Sequence, residues 1–435
     1  MTTPTPTANP KPASCALIPL VLLMLAFGLF GCFQNPAENN EVPSLGQGAI
    51  RLPAPLKNNS NAGKTNISVP PAPAFVQPNN TAAATFSCNG TIIGTMARSS
   101  LLKSSAFYAK SFQDNFAWGT VAGAQEFHSI HPIGPEYDFR AADAALDILE
   151  NNGKHYGIFH NLILARGIKV PQWYKMLGTF ERRAVLEEHI KTTVTRYKGR
   201  IPVYIVVNHP LLWNWESESN FMGTGWTRVE ALTNFFKWAH ESDPDALLIL
   251  NEGGEDSLQT GVIINASRTR EYAKLATDLL ERDAPIGGIG IMGHFGLGTA
   301  TLPPDSILIE SLDILSATGL PIYVSELDIS YDWTAAYVNP QSPSYPFNPN
   351  AQFQDGGITY GTYWDYQAYA LKHAMELFAS HEAVDAIYLW DIVESPQSWR
   401  EGTGLFFANG TPMPAYWSVK PLLERAMENN GCLPK

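Results

Sequence analysis

The sequence predicts a closed (β/α)₈ barrel, and three observations carry that expectation. Eight short apolar, β-branched runs recur along the chain, longer segments of helical periodicity separate them, and polar and ionisable residues gather where the runs end. The runs are residues 91–97, 116–122, 155–163, 201–209, 246–252, 286–294, 321–329 and 386–392. Helical patterns fall at 141–151, 181–197, 227–240, 269–282, 307–318 and 366–380. Continuous apolar strands alternating with amphipathic helices belong to a parallel sheet covered by helices. Eight such units suggest closure into a barrel. The alternative, an open doubly wound sheet, would carry a glycine-rich phosphate fingerprint after its first strand, and none is present.

The barrel is expected over residues 86–435, preceded by two segments of different texture. Residues 16–31 form a continuous apolar run ending in Leu29-Phe30-Gly31-Cys32. It resembles a bacterial lipoprotein signal, and residues 1–32 are read as a signal or membrane anchor, with lipidation at Cys32 and an uncleaved anchor as the alternatives. Residues 33–85 are rich in Asn, Pro, Ala and Ser and poor in large apolar residues, the composition of a disordered tether. The expectation is an exported protein, extracellular or at the cell surface, that meets a membrane only through its N-terminal segment.

The four cysteines, Cys15, Cys32, Cys88 and Cys432, show no CxxC and no metal-ligand spacing. Neither a metal nor a cofactor is expected. Cys88 and Cys432 flank the folded region, whose first and last strands would be neighbours. A disulfide between them and a pair of free thiols are both open. The formal net charge is −12 without any Lys/Arg-rich run, which argues against nucleic acid as a partner. A polysaccharide or oligosaccharide needs no basic surface, and the 11 Trp could supply platforms for sugar rings, although core packing is their commoner use. A monomer is expected.

In a barrel of this kind the chemistry sits at the C-terminal ends of the strands. Those ends read Val207-Asn208-His209-Pro210, Leu250-Asn251-Glu252, Met292-Gly293-His294-Phe295, Val324-Ser325-Glu326-Leu327-Asp328 and Leu389-Trp390-Asp391, with Trp399 shortly after. One such residue alone would be a solvated loop charge; several converging on one face favour a site. Glu326 is the sharpest candidate because it directly follows an apolar run. A retaining glycosidase needs a carboxylate there as nucleophile and a second carboxyl about 5–5.5 Å away as acid and base. A structural ion pair with a barrel Arg or Lys is the other reading of Glu326.

Here the segments YVSELDIS, GIGIMGHF, IPVYIVVNHP and IYLWDIVESPQSW, the last followed by GLFFANGTPMPAYWSVKPLL, resemble glycoside hydrolase family 10, the endo-1,4-beta-xylanases. The N-terminal segments IIGTMARSSLL, YDFRAADAALDILENNGK and VPQWY follow the family order. The resemblance covers about residues 90–425. It implies a retaining hydrolase of β-1,4-linked polysaccharide in which Glu326 is the nucleophile, His294 supports it, Asn208 holds the 2-hydroxyl of the sugar, and Trp390 and Trp399 form a wall of the sugar site.

The departures are equally informative. Where the family has Asn-Glu at the end of strand 4, the Glu being the acid/base, this chain has Asn208-His209. The strand-2 contacts are replaced by the stretch from Val121 to Phe127. The strand-3 segment lacks the family's Trp-His pair and runs from Leu162 to Gly167 without a Trp or a His. Met292 stands where a Gln is expected. A charged imidazole can donate a proton near neutrality, but its shape differs from that of Glu. Glu216 and Glu218, on the following loop, are alternative acids, or simply exposed loop residues. Two function classes therefore follow: a hydrolase with altered or reduced activity, and a non-catalytic glycan-binding or surface protein on a degenerate barrel.

Overall fold

The computed structural model describes residues 90–134, 136–150, 156–165, 170–212, 218–253, 261–295, 302–330, 349–350, 352–355, 357–394 and 402–428. The anchor and tether segments and all four cysteines lie outside the described residues, as do Trp399, Glu216, Arg166 and Gly167.

Eight parallel strands close into a barrel: β1 (Ile92–Arg98), β2 (Trp118–Ala122), β3 (Tyr156–Leu164), β4 (Val203–Asn208), β5 (Leu247–Glu252), β6 (Gly288–Phe295), β7 (Ile322–Ile329) and β8 (Val384–Leu389). Each strand pairs with its neighbours in sequence, and β1 pairs with β8 to close the ring, Ile92 opposite Ala386 and Thr95 opposite Leu389. Closure leaves no sheet edge exposed. Just beyond the seam Arg98 meets Asp391 at 3.3 Å.

Alternation along the strands divides the core in two. Val203 and Ile205 of β4, Leu247 and Ile249 of β5 and Tyr323 of β7 pack with Ile92, Trp118 and Tyr388 inside the barrel. Their neighbours Tyr204, Val206, Leu248, Leu250 and Val324 face outward and join the larger core beneath the helices. The barrel is therefore packed from within at its N-terminal end, and its polar residues collect at the other.

The expected helices appear as Arg140–Leu149, Thr179–Tyr197, Arg228–Ser242, Ala266–Leu280, Asp305–Ser316 and Tyr363–Ser380. Their starts follow capping chemistry. Thr227 accepts from the Glu230 N–H while the Glu230 carboxylate accepts from the Thr227 N–H, and Asn265 caps Ala266–Leu280 through the Ser267 and Arg268 N–H groups. The sequence reading did not delineate the helix pair Ser99–Ser104 and Ala106–Asn115, the hairpin Phe353–Asp355/Ile358–Tyr360, or the C-terminal helix Pro414–Glu428. Among the described residues no helix is long and apolar enough to cross a membrane.

One buried phenol ties a helix to two strands. Tyr272, on Ala266–Leu280, donates its hydroxyl within 2.7 Å of the Leu250 carbonyl and 2.9 Å of the Gly290 carbonyl. Tyr272→Phe is expected to cost about 1–2 kcal/mol; a denaturant midpoint shift with unchanged slope would report it.

Candidate active site

The site is built at the C-terminal ends of β3 to β8. Two irregularities in the ladder decide which side chains enter it. Between β6 and β7, Ile291 lies opposite Val324, but Met292 lies opposite Glu326, so Ser325 is an extra residue. The β8 register slips at the same place, from Ile387 opposite Val324 to Leu389 opposite Leu327. Strict alternation would put Glu326 on the outward face with Val324. The bulge turns it to the inner face and sends Leu327 and Ile329 outward into the core. A second bulge in β4 does the same: Val206 and Val207 both pack outward, and Asn208 is turned inward.

Glu326 is buried, and two imidazoles hold its two oxygens. His160 Nε2 lies 3.0 Å from Oε1 and His294 Nε2 lies 3.1 Å from Oε2. Asn251 Nδ2 adds a longer contact to Oε1, 3.4 Å. Burial alone would push the Glu326 carboxyl up, but the hydrogen bonds and charges of His160 and His294 outweigh it. They hold the group far below the usual carboxylate range. Glu326 is therefore an anion at neutral pH, and it is held by histidines rather than by an Arg or Lys.

Each histidine is fixed from behind. His294 Nδ1 lies 2.7 Å from Asp328 Oδ2, so both ring nitrogens face carboxylate oxygens. The His160 N–H donates to Gln125 Oε1 at 3.0 Å. Trp390, itself buried, lies against both imidazoles, with ring centroids 5.0 Å from His160 and 6.2 Å from His294. Asn208 Oδ1 accepts from Asn251 Nδ2 at 2.9 Å, and Asn251 Oδ1 faces the Ser325 hydroxyl at 2.6 Å. Glu326, His294, Trp390 and Asn208 are thus joined in one network.

His209 stands apart from that network. Its backbone adopts φ 60°, and its N–H donates to the Asn251 carbonyl at 3.0 Å. Its Nδ1 lies 3.3 Å from Glu252 Oε1. Among the described residues no hydrogen bond joins His209 to Glu326. Met292 is buried, and Glu218 opens a short 3₁₀ segment, Glu218–Gly223. Among the described residues no group of His, Cys, Asp and Glu could hold a metal ion.

Two members of the network escaped the sequence reading. His160 lies inside the β3 apolar run, upstream of the strand end from Leu162 to Gly167. A polar pair, His160-Asn161, set between Phe159 and Leu162-Ile163 is the signal that could have found it, because a strand interior has no cheap place for one. Asn251 was noted at its strand end but given no task; its role as a bridge exists only through the neighbouring strands.

Comparison with known proteins agrees with this architecture. A family model described as glycosyl hydrolase family 10 matches residues 81–421. A beta-1,4-xylanase of Dictyoglomus thermophilum is 28% identical over 330 residues, which cover 72% of this chain and 83% of that protein. Native xylanase 10B of Thermotoga maritima shares the fold, with a TM-score of 0.60 and 24% identity over 78% of this chain and 96% of that one. Xylanase 10B of Thermotoga petrophila, solved in complex with xylobiose, has a TM-score of 0.60 and 22% identity over 78% of this chain and 95% of that one. With a family match across the whole barrel, the chain belongs to glycosyl hydrolase family 10.

Proposed function

We propose that this protein is an exported retaining hydrolase of β-1,4-linked xylan-type polysaccharide, with altered or reduced activity, anchored by its N-terminal segment. The observation that carries the reading is the setting of Glu326, a buried anion at a strand end with an imidazole on each oxygen. The carboxylate is fixed in orientation from both sides, as a nucleophile must be.

In this reading a Glu326 oxygen attacks the anomeric carbon as the glycosidic C–O bond breaks. The electron pair leaves on the glycosidic oxygen, which takes a proton from His209 Nε2. Neutral His209 then accepts a proton from water as the water oxygen bonds to the anomeric carbon and the bond to Glu326 breaks. Asn208 and Trp390 contact the sugar, Trp399 is a further sugar contact that the family resemblance implies, and His294 holds the nucleophile. The xylobiose bound by the Thermotoga petrophila relative sets the class of ligand to test. Anchoring is supported by the apolar run of residues 16–31 ending beside Cys32.

A second reading, glycan binding without turnover, draws on the attachment of His209 to Glu252 rather than to the Glu326 network. Hydrolysis assays on xylan and on activated aryl xylosides separate the two. Turnover that depends on Glu326 supports the first, and saturable xylo-oligosaccharide binding without turnover supports the second.

Gly290 offers a check on the geometry. A Cβ there would clash with Asn251 Oδ1. Gly290→Ala is therefore expected to displace Asn251 and loosen both Asn208 and Glu326, lowering kcat by about 10²-fold, as a misplacement near 1 Å does. Unchanged kcat in a folded variant would mean that the Asn251 bridge is dispensable.

A further inference from the structure

The His209 backbone occupies the left-handed region at φ 60°, a conformation that a non-glycine residue adopts at a cost. Two backbone bonds keep it there: its N–H donates to the Asn251 carbonyl at 3.0 Å, and its carbonyl accepts from the Leu212 N–H at 3.2 Å. The turn delivers the imidazole to Glu252, whose side chain is fully buried while that of His209 keeps 11% of its surface exposed. Glu252 Oε1 faces His209 Nδ1 at 3.3 Å and accepts from the Gly253 N–H at 3.0 Å, and Oε2 accepts from the Leu211 N–H at 2.6 Å. Arg268 closes the same corner by donating to the Leu211 carbonyl at 2.7 Å.

We propose that Glu252 is a positioning residue for the proton-transfer step, locking His209 with Nδ1–H toward itself so that Nε2 is the edge that gives and takes the proton. The inference rests on the reading of His209 as acid/base. A carboxylate accepts only, so Nδ1 must carry hydrogen, and the variable proton is confined to Nε2. Among the described residues Nε2 has no hydrogen-bond partner. Burial alone would raise the Glu252 carboxyl. The hydrogen bond and charge of His209, the Leu211 N–H and the charge of Arg268 outweigh it and hold the group below its ordinary range. The acceptor therefore stays anionic while the imidazole cycles between its two protonation states. It orients the ring and stabilises the imidazolium formed when water is deprotonated.

The test compares wild type, Glu252→Gln, Glu252→Asp, His209→Ala and the His209→Ala/Glu252→Gln double variant of the full chain on aryl β-xylobiosides of graded leaving-group acidity. Glu252→Gln is expected to lower kcat about 10–100-fold for poor leaving groups and under about 3-fold for dinitrophenol, with KM little changed. Glu252→Asp should restore part of the loss, and Glu252→Gln should add nothing once His209 is Ala. An equal loss on all leaving groups, with a lowered melting midpoint, would make Glu252 a clamp for the loop at Leu211 and overturn the proposal.

His209→Ala separates this proposal from the reading beneath it. If that variant retains wild-type kcat on poor leaving groups, the acid assignment falls and takes the dyad with it. If it loses kcat while Glu252→Gln does not, only the dyad falls. A wild type that turns over none of these substrates overturns both. Imidazole ¹⁵N shifts read the same claim without turnover: His209 Nδ1 protonated at neutral pH supports it, and Nδ1 unprotonated overturns it.

Discussion

Glu326→Gln is expected to remove turnover on every glycoside, activated or not, by at least about 10⁴-fold, with a folded barrel left behind. The amide is nearly isosteric, so the space it fills between His160 and His294 is kept, but it cannot form the covalent bond. The size of the effect follows from the anion's setting. His160 and His294 orient both oxygens, and Asn251 touches one of them. Steady-state rates on an aryl xyloside, with circular dichroism as a fold check, measure it. Full activity in the variant would end the nucleophile assignment.

The same residue carries a pH signature. Its folded-state carboxyl is held far below the unfolded value of about 4.3. Its contribution to stability is therefore complete above the ordinary glutamate range and is lost as the pH falls toward the folded-state value. Protonated Glu326 resembles the Gln variant, so the stability gap between the two proteins should narrow as the pH falls from about 6 to about 3. Denaturant unfolding at several pH values tests this; a gap that widened on acidification would contradict the direction.

His209→Glu, which rebuilds the family's carboxylate pair, is expected to raise turnover on unactivated xylan by only part of the roughly 10²–10⁴-fold that general acid catalysis supplies, because His209 already provides some of it. The gain depends on Glu252. His209 Nδ1 lies 3.3 Å from that buried carboxylate, so a carboxyl placed there meets a like charge in a dry corner. The single variant should be less stable than wild type and only partly active. H209E combined with E252Q removes the repulsion and should be both the more stable and the faster of the two. Reducing-sugar release from xylan and a thermal melt decide it. No gain in either variant would place the limit at the replaced strand-2 and strand-3 sugar contacts instead.

Alternating apolar runs and helical periods are local properties of the chain, and all eight barrel strands and six of the helices fall within three residues of their expected bounds. The pieces missed were short or lay outside the repeating pattern: the helix pair after β1, the hairpin after β7, the C-terminal helix. Glu326, Asn208, His294 and Trp390 stood out because polar groups at strand ends conflict with a packed core. His160 did not, because a single imidazole within Ile158–Ile163 reads as one residue of a buried strand until the opposite wall of the barrel is known.

The sequence by itself determined the class of fold, the end of the barrel that carries the polar groups, and the strand-7 carboxylate among them. Only the tertiary structure decided which way those groups face. On a regular strand Glu326 would share a side with Val324 and be buried among the helices. The extra residue in β7, set by its register against β6 and β8, turns it inward, and the extra residue in β4 turns Asn208. Pairing across strands is a long-range property with no local signature, and so is the corner in which Glu252 receives His209.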